Sequence, residues 1–232
     1  FGSAATQWNT SEFDNYSRLI KSTSYTGNVV GLTYSGLSTT VSENGKTKTT
    51  TKNALGNIVS LTETPGGTIS YTYFADGNLK SSTFDGAITT IEQDGWGRKT
   101  KLTDPSAGIY LYEYNSFGET TKETTPNGST TYTLNNEGKI IQKVISGNLT
   151  NSKTTYTYDS TSKLITNTKF ENLSEGTNTI TNTFTYDISK RIIKTVEATP
   201  FASFTKDLTY DVFGRPEKTT STATISGKTS SK

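Results

Sequence analysis

Cysteine, histidine and methionine are wholly absent from this 232-residue chain, and proline occurs only five times. Without cysteine there are no disulfides and no thiolate metal sites. Without histidine the commonest general base and metal ligand are missing, and Ser-His-Asp and Cys-His nucleophilic systems are excluded. The missing initiator methionine leads us to expect a fragment or a processed product. Long apolar runs are also lacking: no stretch approaches the roughly 20 residues of a membrane-spanning helix, and no basic start leads into an apolar segment, so membrane insertion is not expected. Neither sign of charge dominates, with 23 Lys and Arg against 21 Asp and Glu and a net charge of +2. The densest basic stretch, Lys46, Lys48 and Lys52, alternates with threonine as a solvated strand face would, and no nucleic-acid partner is implied. Hydrophobic residues make up 30% of the chain. Even with 20 glycines added, this falls short of the roughly 45–50% usual for globular domains, so a thick core is not expected. A sheet with one covered and one wet face suits the composition.

What the chain does have is a period. Glycines recur at Gly56, Gly77, Gly97, Gly118 and Gly138, separated by 21, 20, 21 and 20 residues. A fixed spacing of this length means stacked supersecondary units. Around the glycines an alternating aromatic segment recurs in degraded form: Ile69, Tyr71 and Tyr73 alternate with Thr68, Ser70 and Thr72 before Gly77, and Tyr110, Tyr112 and Tyr114 with Ile109, Leu111 and Glu113 before Gly118. The pattern returns at Tyr156/Tyr158, Phe184/Tyr186 and Leu208/Tyr210. Period two with threonine and aromatics predicts strands, and no sustained 3.6-residue pattern predicts helix.

The turns have their own chemistry. Phe74-Ala75-Asp76-Gly77-Asn78, Asn115-Ser116-Phe117-Gly118-Glu119 and Asn136-Glu137-Gly138-Lys139 offer glycine for positive φ and an Asp or Asn to bond the turn backbone. Far-end turns are predicted at Thr64-Pro65-Gly66-Gly67, Asp104-Pro105-Ser106-Ala107-Gly108 and Thr125-Pro126-Asn127-Gly128. Two turns per 20 residues leave room for two strands, giving a continuous antiparallel meander. Residues 1–220 are thus expected to be tandem repeats, most regular over about 50–145 and longer over 146–218, followed by a flexible polar tail at 221–232. Gly56, Gly77, Gly97, Gly118, Gly138 and Gly214 are the expected structural turn residues. Tyr71, Tyr73, Tyr112, Tyr114, Tyr156, Tyr158, Tyr186 and Tyr210 are expected to pack between strands.

The core Tyr210-Asp211-Val212-Phe213-Gly214-Arg215 has degraded copies at Phe13-Asp14-Asn15-Tyr16-Ser17-Arg18, Tyr158-Asp159 and Tyr186-Asp187. From about Phe13 to Lys218 the chain resembles the YD repeat of Rhs (rearrangement hotspot) proteins, toxin-complex C components, wall-associated proteins and teneurins. That resemblance implies a curved, spiralling all-β sheet of hairpin repeats, part of a shell or surface scaffold that encloses or presents a toxin or effector polypeptide. It further implies a secreted or bacterial cell-surface protein whose partners are the rest of a parent Rhs chain and its C-terminal cargo. Full shells in the family resemble several times this many repeats, so these units predict an open strip whose two edges invite self-association or pairing with further sequence. The family's self-cleaving core motif has no counterpart here, since Asp104-Pro105 belongs to a repeat turn.

Catalytic readings find little support. Carboxylates beside the turn glycines read as turn caps, the Asp-rich pattern of calcium-binding β-rolls does not occur, and Asp94, Asp104 and Glu113 form only the kind of pair any acidic sheet offers. No catalytic residue, metal or cofactor is expected. Trp96, with Tyr110, is the candidate for stacking on a sugar, which makes a carbohydrate- or protein-binding surface module the second function considered and a β-solenoid glycan hydrolase the third. Five Asn-x-Ser/Thr sequons, at Asn9, Asn15, Asn127, Asn148 and Asn172, match what chance provides in a chain this rich in Asn, Ser and Thr.

Overall fold

A computed structural model describes residues 8–174, 179–225 and 228–231. Among them are 21 strands and no helix. The chain divides into two units, Phe1–Ile109 and Tyr110–Lys232. The first holds β1 (Thr10–Phe13), β2 (Leu19–Thr23), β3 (Val29–Ser35), β4 (Ser38–Glu43), β5 (Lys46–Lys52), β6 (Ile58–Thr64), β7 (Thr68–Tyr73), β8 (Leu79–Phe84), β9 (Ala87–Gln93) and β10 (Lys99–Asp104). Across the boundary runs β11 (Gly108–Tyr114), followed by β12 (Thr120–Thr125), β13 (Gly128–Leu134), β14 (Ile140–Gly147), β15 (Asn151–Tyr158), β16 (Ile165–Asn172), β17 (Thr179–Tyr186), β18 (Ile192–Ala198), β19 (Ala202–Tyr210), β20 (Pro216–Ile225) and β21 (Lys228–Ser231). Within each unit every strand pairs antiparallel with the next in sequence, so each is an open meander of hairpins.

The pairing sorts the side chains into two contrasting faces. In the first unit, Thr33, Thr40, Thr49, Thr62 and Thr68 stand opposite one another on five successive strands. Hydroxyls on this face bond across the strands, as in Thr40 with Thr49 at 2.8 Å, Ser38 with Thr51 at 2.8 Å and Thr72 with Ser81 at 2.6 Å. The other face carries Tyr34, Thr39, Thr50, Leu61, Ile69 and Phe84 in one row, with Tyr71 and Tyr73 beside it. β-Branched hydroxyl side chains suit a pleated surface, and each cross-strand pair adds a few tenths of a kcal/mol to the ladder. Interleaved charges pair across strands in the same way, as in Lys48–Glu63 at 3.0 Å and Lys101–Glu92 at 2.8 Å.

No apolar side chain among the described residues is buried; Ser152 alone is, at 5% exposure. Composition suggested a sheet with one covered face. The described residues supply no second layer to cover it, so the aromatic face remains half-exposed. Order within each unit comes from its backbone ladder, in which consecutive strands are hydrogen-bonded to one another.

The segment 221–232 was expected to be a loose polar tail, yet 221–225 completes β20 and 228–231 forms β21, paired Thr222 to Ser231 through Ile225 to Lys228. The reason is physical: in a single-layer sheet a strand needs an unpaired neighbouring edge more than it needs apolar side chains, and β20 offers one. Residues 226, 227 and 232 of that segment lie outside the described residues.

Hairpin turns supply the positive φ angles. Gly56 (87°), Gly77 (87°), Gly97 (78°), Gly118 (88°), Gly138 (74°) and Gly214 (80°) all lie in the left-handed region. In three units a residue with a Cβ holds the same place: Ser17 (61°), Lys163 (62°) and Lys190 (64°). A side chain there costs roughly 1–2 kcal/mol per residue. Lys190→Gly is therefore expected to raise stability by about 0.5–1 kcal/mol after the entropy of glycine is subtracted. Urea unfolding checks this, and a variant no more stable than wild type would rule out the strain assigned to Lys190.

Candidate functional site: a repeated clasp between hairpins

The turn that recurs every two strands is a three-residue loop closed by a bulge. In the last repeat the Asp211 N–H donates to the Arg215 carbonyl at 2.9 Å and the Gly214 N–H to the Asp211 carbonyl at 2.9 Å. The register slips between Thr209 and Tyr210 just before it. This is a type I turn followed by a left-handed residue, which is why glycine is favoured there. The same two backbone bonds recur with Asp14, Asn53, Asp94, Asn115, Asn135 and Asp187 in the first position. They recur at Phe74 too, where the carboxylate is displaced two residues onward and Asp76 caps the Asn78 N–H at 3.0 Å. A turn at Ser24–Asn28, with Gly27 at 88°, follows the same rule on the opposite rim.

The first residue ties the loop down. Oδ1 of Asp211 accepts the Phe213 and Arg215 N–H groups at 2.9 Å each, and Oδ2 takes the Arg215 guanidinium through Nε at 2.7 Å. Asp14 with Arg18 and Asp94 with Arg98 are built alike, while Asn53 and Asn135 keep the backbone caps with a neutral side chain. Three hydrogen bonds on one carboxylate, with the Arg215 Nη2 ion pair at 2.7 Å beside them, explain why Asp is preferred at this position.

The residue four places on, and the tyrosine of the following repeat, join one hairpin to the next. Arg18 lies over the Tyr34 ring at 4.3 Å, Arg191 over Tyr210 at 4.4 Å and the Lys139 ammonium over Tyr158 at 5.1 Å. Each of these tyrosines donates its hydroxyl to a carbonyl at the start of the preceding strand: Tyr34 to Leu19 at 2.8 Å, Tyr158 to Ile140 at 2.9 Å and Tyr210 to Ile192 at 2.9 Å. Tyr73 to Ile58 at 2.5 Å and Tyr186 to Ile165 at 2.8 Å do the same. Those carbonyls lie just beyond the end of the ladder. Between β6 and β7 the last backbone pair is Ser60–Ser70, and between β18 and β19 it is Lys194–Asp207. The tyrosine hydroxyl therefore takes over where backbone pairing between hairpins stops, and one clasp contains Asp, Arg, Tyr and a carbonyl from two repeats. Next to it the turn glycine faces the previous turn: a Cβ on Gly138 would collide with the Glu119 carboxylate, and one on Gly214 would come within 3.0 Å of Arg191.

The clasp carboxylates are held below the ordinary aspartate range. For Asp14 the Arg18 guanidinium bond is the main cause, with the Arg18 N–H next; for Asp187 and Asp211 the backbone N–H of Arg191 and Arg215 comes first. Surroundings push Asp94 upward, and the Arg98 N–H and guanidinium outweigh that effect. A carboxyl lowered in the folded state stabilises the fold above its unfolded value of about 3.9 and loses that contribution as pH falls through the lower folded value. Melting temperature is thus expected to be flat near neutrality and to fall below about pH 4. Asp187→Asn and Asp211→Asn together should reduce the acid slope, because an amide oxygen accepts the same backbone bonds without titrating; an unchanged slope would show that the caps do not set acid stability.

The other proposed positions are dispersed. Tyr71, Tyr112, Tyr114 and Tyr156 are half-buried on strands, as is Tyr110 on β11, while Trp96 stands 86% exposed at the tip of the β9–β10 turn. Asp104 caps the Ser106 and Ala107 N–H groups and accepts from Thr89, and Glu113 pairs with Lys122 at 3.2 Å. No group of three or more potential metal-ligating residues occurs among the described residues. A surface trough of about 600 Å³ lies over Phe184, Glu197, Phe204 and Lys206, and its lining holds one carboxylate rather than the facing pair glycoside hydrolysis uses.

The tyrosine hydroxyl's role was not anticipated from sequence, where the tyrosines read as packing residues. Its one signal is that tyrosine precedes the aspartate in the last three copies, at Tyr158, Tyr186 and Tyr210.

Comparison with known proteins places this clasp in context. Residues 13–174 match the family model described as the teneurin YD-shell. No curated protein matches the sequence. Among solved structures, TcdB2-TccC3-TEV aligns with TM-score 0.52 and 13% identity over 95% of this chain and 16% of that chain. TcdB2-TccC3 without its hypervariable C-terminal region aligns with TM-score 0.51 and 14% identity over 95% and 15%. The likeness is one of fold, and the chain spans only about 15–16% of the length of the solved chains it matches.

Proposed function

Because this chain belongs to the teneurin YD-shell family, we propose that its structural, shell-forming repeats are one stretch of a wall that encloses or presents a polypeptide cargo within a larger exported or cell-surface protein. One observation carries the reading: among the described residues the strands contain no buried apolar side chain, yet one face is aromatic and half-exposed. A sheet of this kind is incomplete as an independent domain and suited to lining something. On this proposal the aromatic face turns toward the cargo, the hydroxyl face toward water, and the clasps hold the wall shut against proteases. The wall has a mechanical role and does no chemistry.

The test uses the longer chain that carries this segment. Its remaining polypeptide should resist a protease while the wall is intact and become cleavable when Asp187, Arg191, Asp211 and Arg215 are all changed to alanine. Equal cleavage of both forms would sink the cargo reading. A sugar-binding module has the exposed indole of Trp96 in its favour. In a Trp8→Phe background, saturable quenching of Trp96 by soluble glycans would support it, and an unresponsive indole would remove it.

A further inference from the structure

The two faces of the second unit treat charge differently. On one, charges meet their opposites: Glu113 stands across from Lys122, Lys153 from Glu171 and Lys194 from Asp207, with ion pairs at 3.2, 3.5 and 3.6 Å. The other face is aromatic, and there each charge stands between neutral neighbours. Glu123 lies between Tyr112 and Thr130, and Lys143 between Tyr132 and Thr154. Further along the same face, Glu197 lies between Asn182 and Phe204, and Lys206 between Thr195 and Ser221. Among the described residues Glu123, Lys143, Glu197 and Lys206 form no ion pair. An aromatic face does not forbid pairing, since in the first unit Lys48 and Glu63 oppose each other on that face at 3.0 Å. Burial, and after it the Glu123 carboxylate, push the Tyr132 phenol above its ordinary range, so this carboxylate stands among the rings.

Cross-strand pairs of opposite charge stabilise a sheet, and these positions forgo that contribution. Their signs run negative, positive, negative, positive across β12, β14, β18 and β19. A ligand of one sign, such as a nucleic acid, an acidic glycan or an anionic membrane, would meet repulsion at every second position. A neutral sugar would cover the charges without answering them. A polypeptide carrying both acidic and basic residues answers both signs while its apolar side chains cover the rings. A seat for one such side chain is present, because Phe184 and Phe204 line the trough of about 600 Å³ together with Glu197 and Lys206. We propose, building on the cargo reading above, that this face receives a polypeptide segment of mixed charge. An apolar side chain of the segment sits between Phe184 and Phe204, a basic one against Glu197 and an acidic one against Lys206. Glu123 and Lys143 repeat the two signs beside Tyr112 and Tyr132, so a segment that crosses the unit is held at two places.

The test uses the longer chain that carries this segment, with photoreactive p-benzoylphenylalanine in place of Ser221, which lines the trough. Irradiation should link it to polypeptide outside the repeats, at peptides that hold an acidic and a basic residue near an apolar one. The same probe in place of Thr183, on the opposite face, should give no such links. Glu123→Gln, Lys143→Gln, Glu197→Gln and Lys206→Gln together should lower the yield from position 221 by roughly fivefold or more. The opposite-face set Glu113→Gln, Lys122→Gln, Lys194→Gln and Asp207→Asn should leave it unchanged, and melting temperatures check that both variants fold. In the chain without these substitutions, molar sodium chloride should lower the yield as well, which depends on no variant. Links confined to other repeats, to lipid or to glycan would overturn the proposal, as would a yield indifferent to both the substitutions and salt. With the enclosed polypeptide still resistant to protease, such results would leave the cargo reading standing; cleavage of that polypeptide behind an intact wall would sink both.

Discussion

Gly128→Ala is expected to lower the stability of the chain by about 3 kcal/mol, against the usual direction, since replacing a strand glycine by alanine ordinarily gains about 0.5–1 kcal/mol. Two causes act together. Gly128 holds a φ of 146°, which side chains rarely adopt. Its added Cβ would also fall on the Ser146 carbonyl and the Gly147 Cα, both backbone atoms that cannot swing away. Gly128 pairs directly with Gly147, so the two strands meet at a point that is bare on both sides. The control is Gly45→Ala, where φ is 76° but nothing lies within 4 Å of the new Cβ. Only the backbone term remains there, about 1 kcal/mol. Denaturant unfolding of both variants separates the two causes: equal losses would mean that the close approach at Gly128 contributes nothing.

Tyr158→Ala is expected to cost about 2 kcal/mol, below the 3–5 kcal/mol of a fully buried aromatic because the ring is only half-covered. It removes the bond to the Ile140 carbonyl, the surface under the Lys139 ammonium and the contact with the neighbouring hairpin. Tyr158→Phe keeps the ring and deletes the hydroxyl, for an expected loss of about 1 kcal/mol. In repeat proteins a deleted contact acts on the nearest interface, so amide exchange should accelerate first in β14 and β15. If the phenylalanine variant matched wild type in both stability and exchange, the hydroxyl bridge could not be what joins the hairpins.

Much of the architecture is legible because its causes are local. Glycine at a left-handed turn position and threonine–tyrosine alternation on a strand follow from the geometry of a few consecutive residues, so a 20-residue period with both signals means hairpin repeats. Other features escaped a reading tuned to that period. The turns at Asn44-Gly45 and Asp85-Gly86 carry strong hairpin signals, and they belong to the rim whose spacing was less regular. Lys163 and Lys190 occupy glycine's conformation with nothing in their chemistry to announce it. Ser221–Ile225 reads as a loose tail because single-layer strands draw order from the neighbouring edge rather than from apolar content.

By itself, then, the sequence determined an all-β chain of antiparallel hairpins with turn glycines in the left-handed region and aspartate caps, since each depends on residues within one turn or strand. Only the tertiary structure decided that tyrosine hydroxyls bridge one hairpin to the next and that Arg18 and Arg191 lie over rings in the following repeat. Those contacts join residues 15 to 21 positions apart, as from Tyr34 to Leu19 and Tyr186 to Ile165. They depend on strand register and on where each ladder ends, which no single repeat encodes.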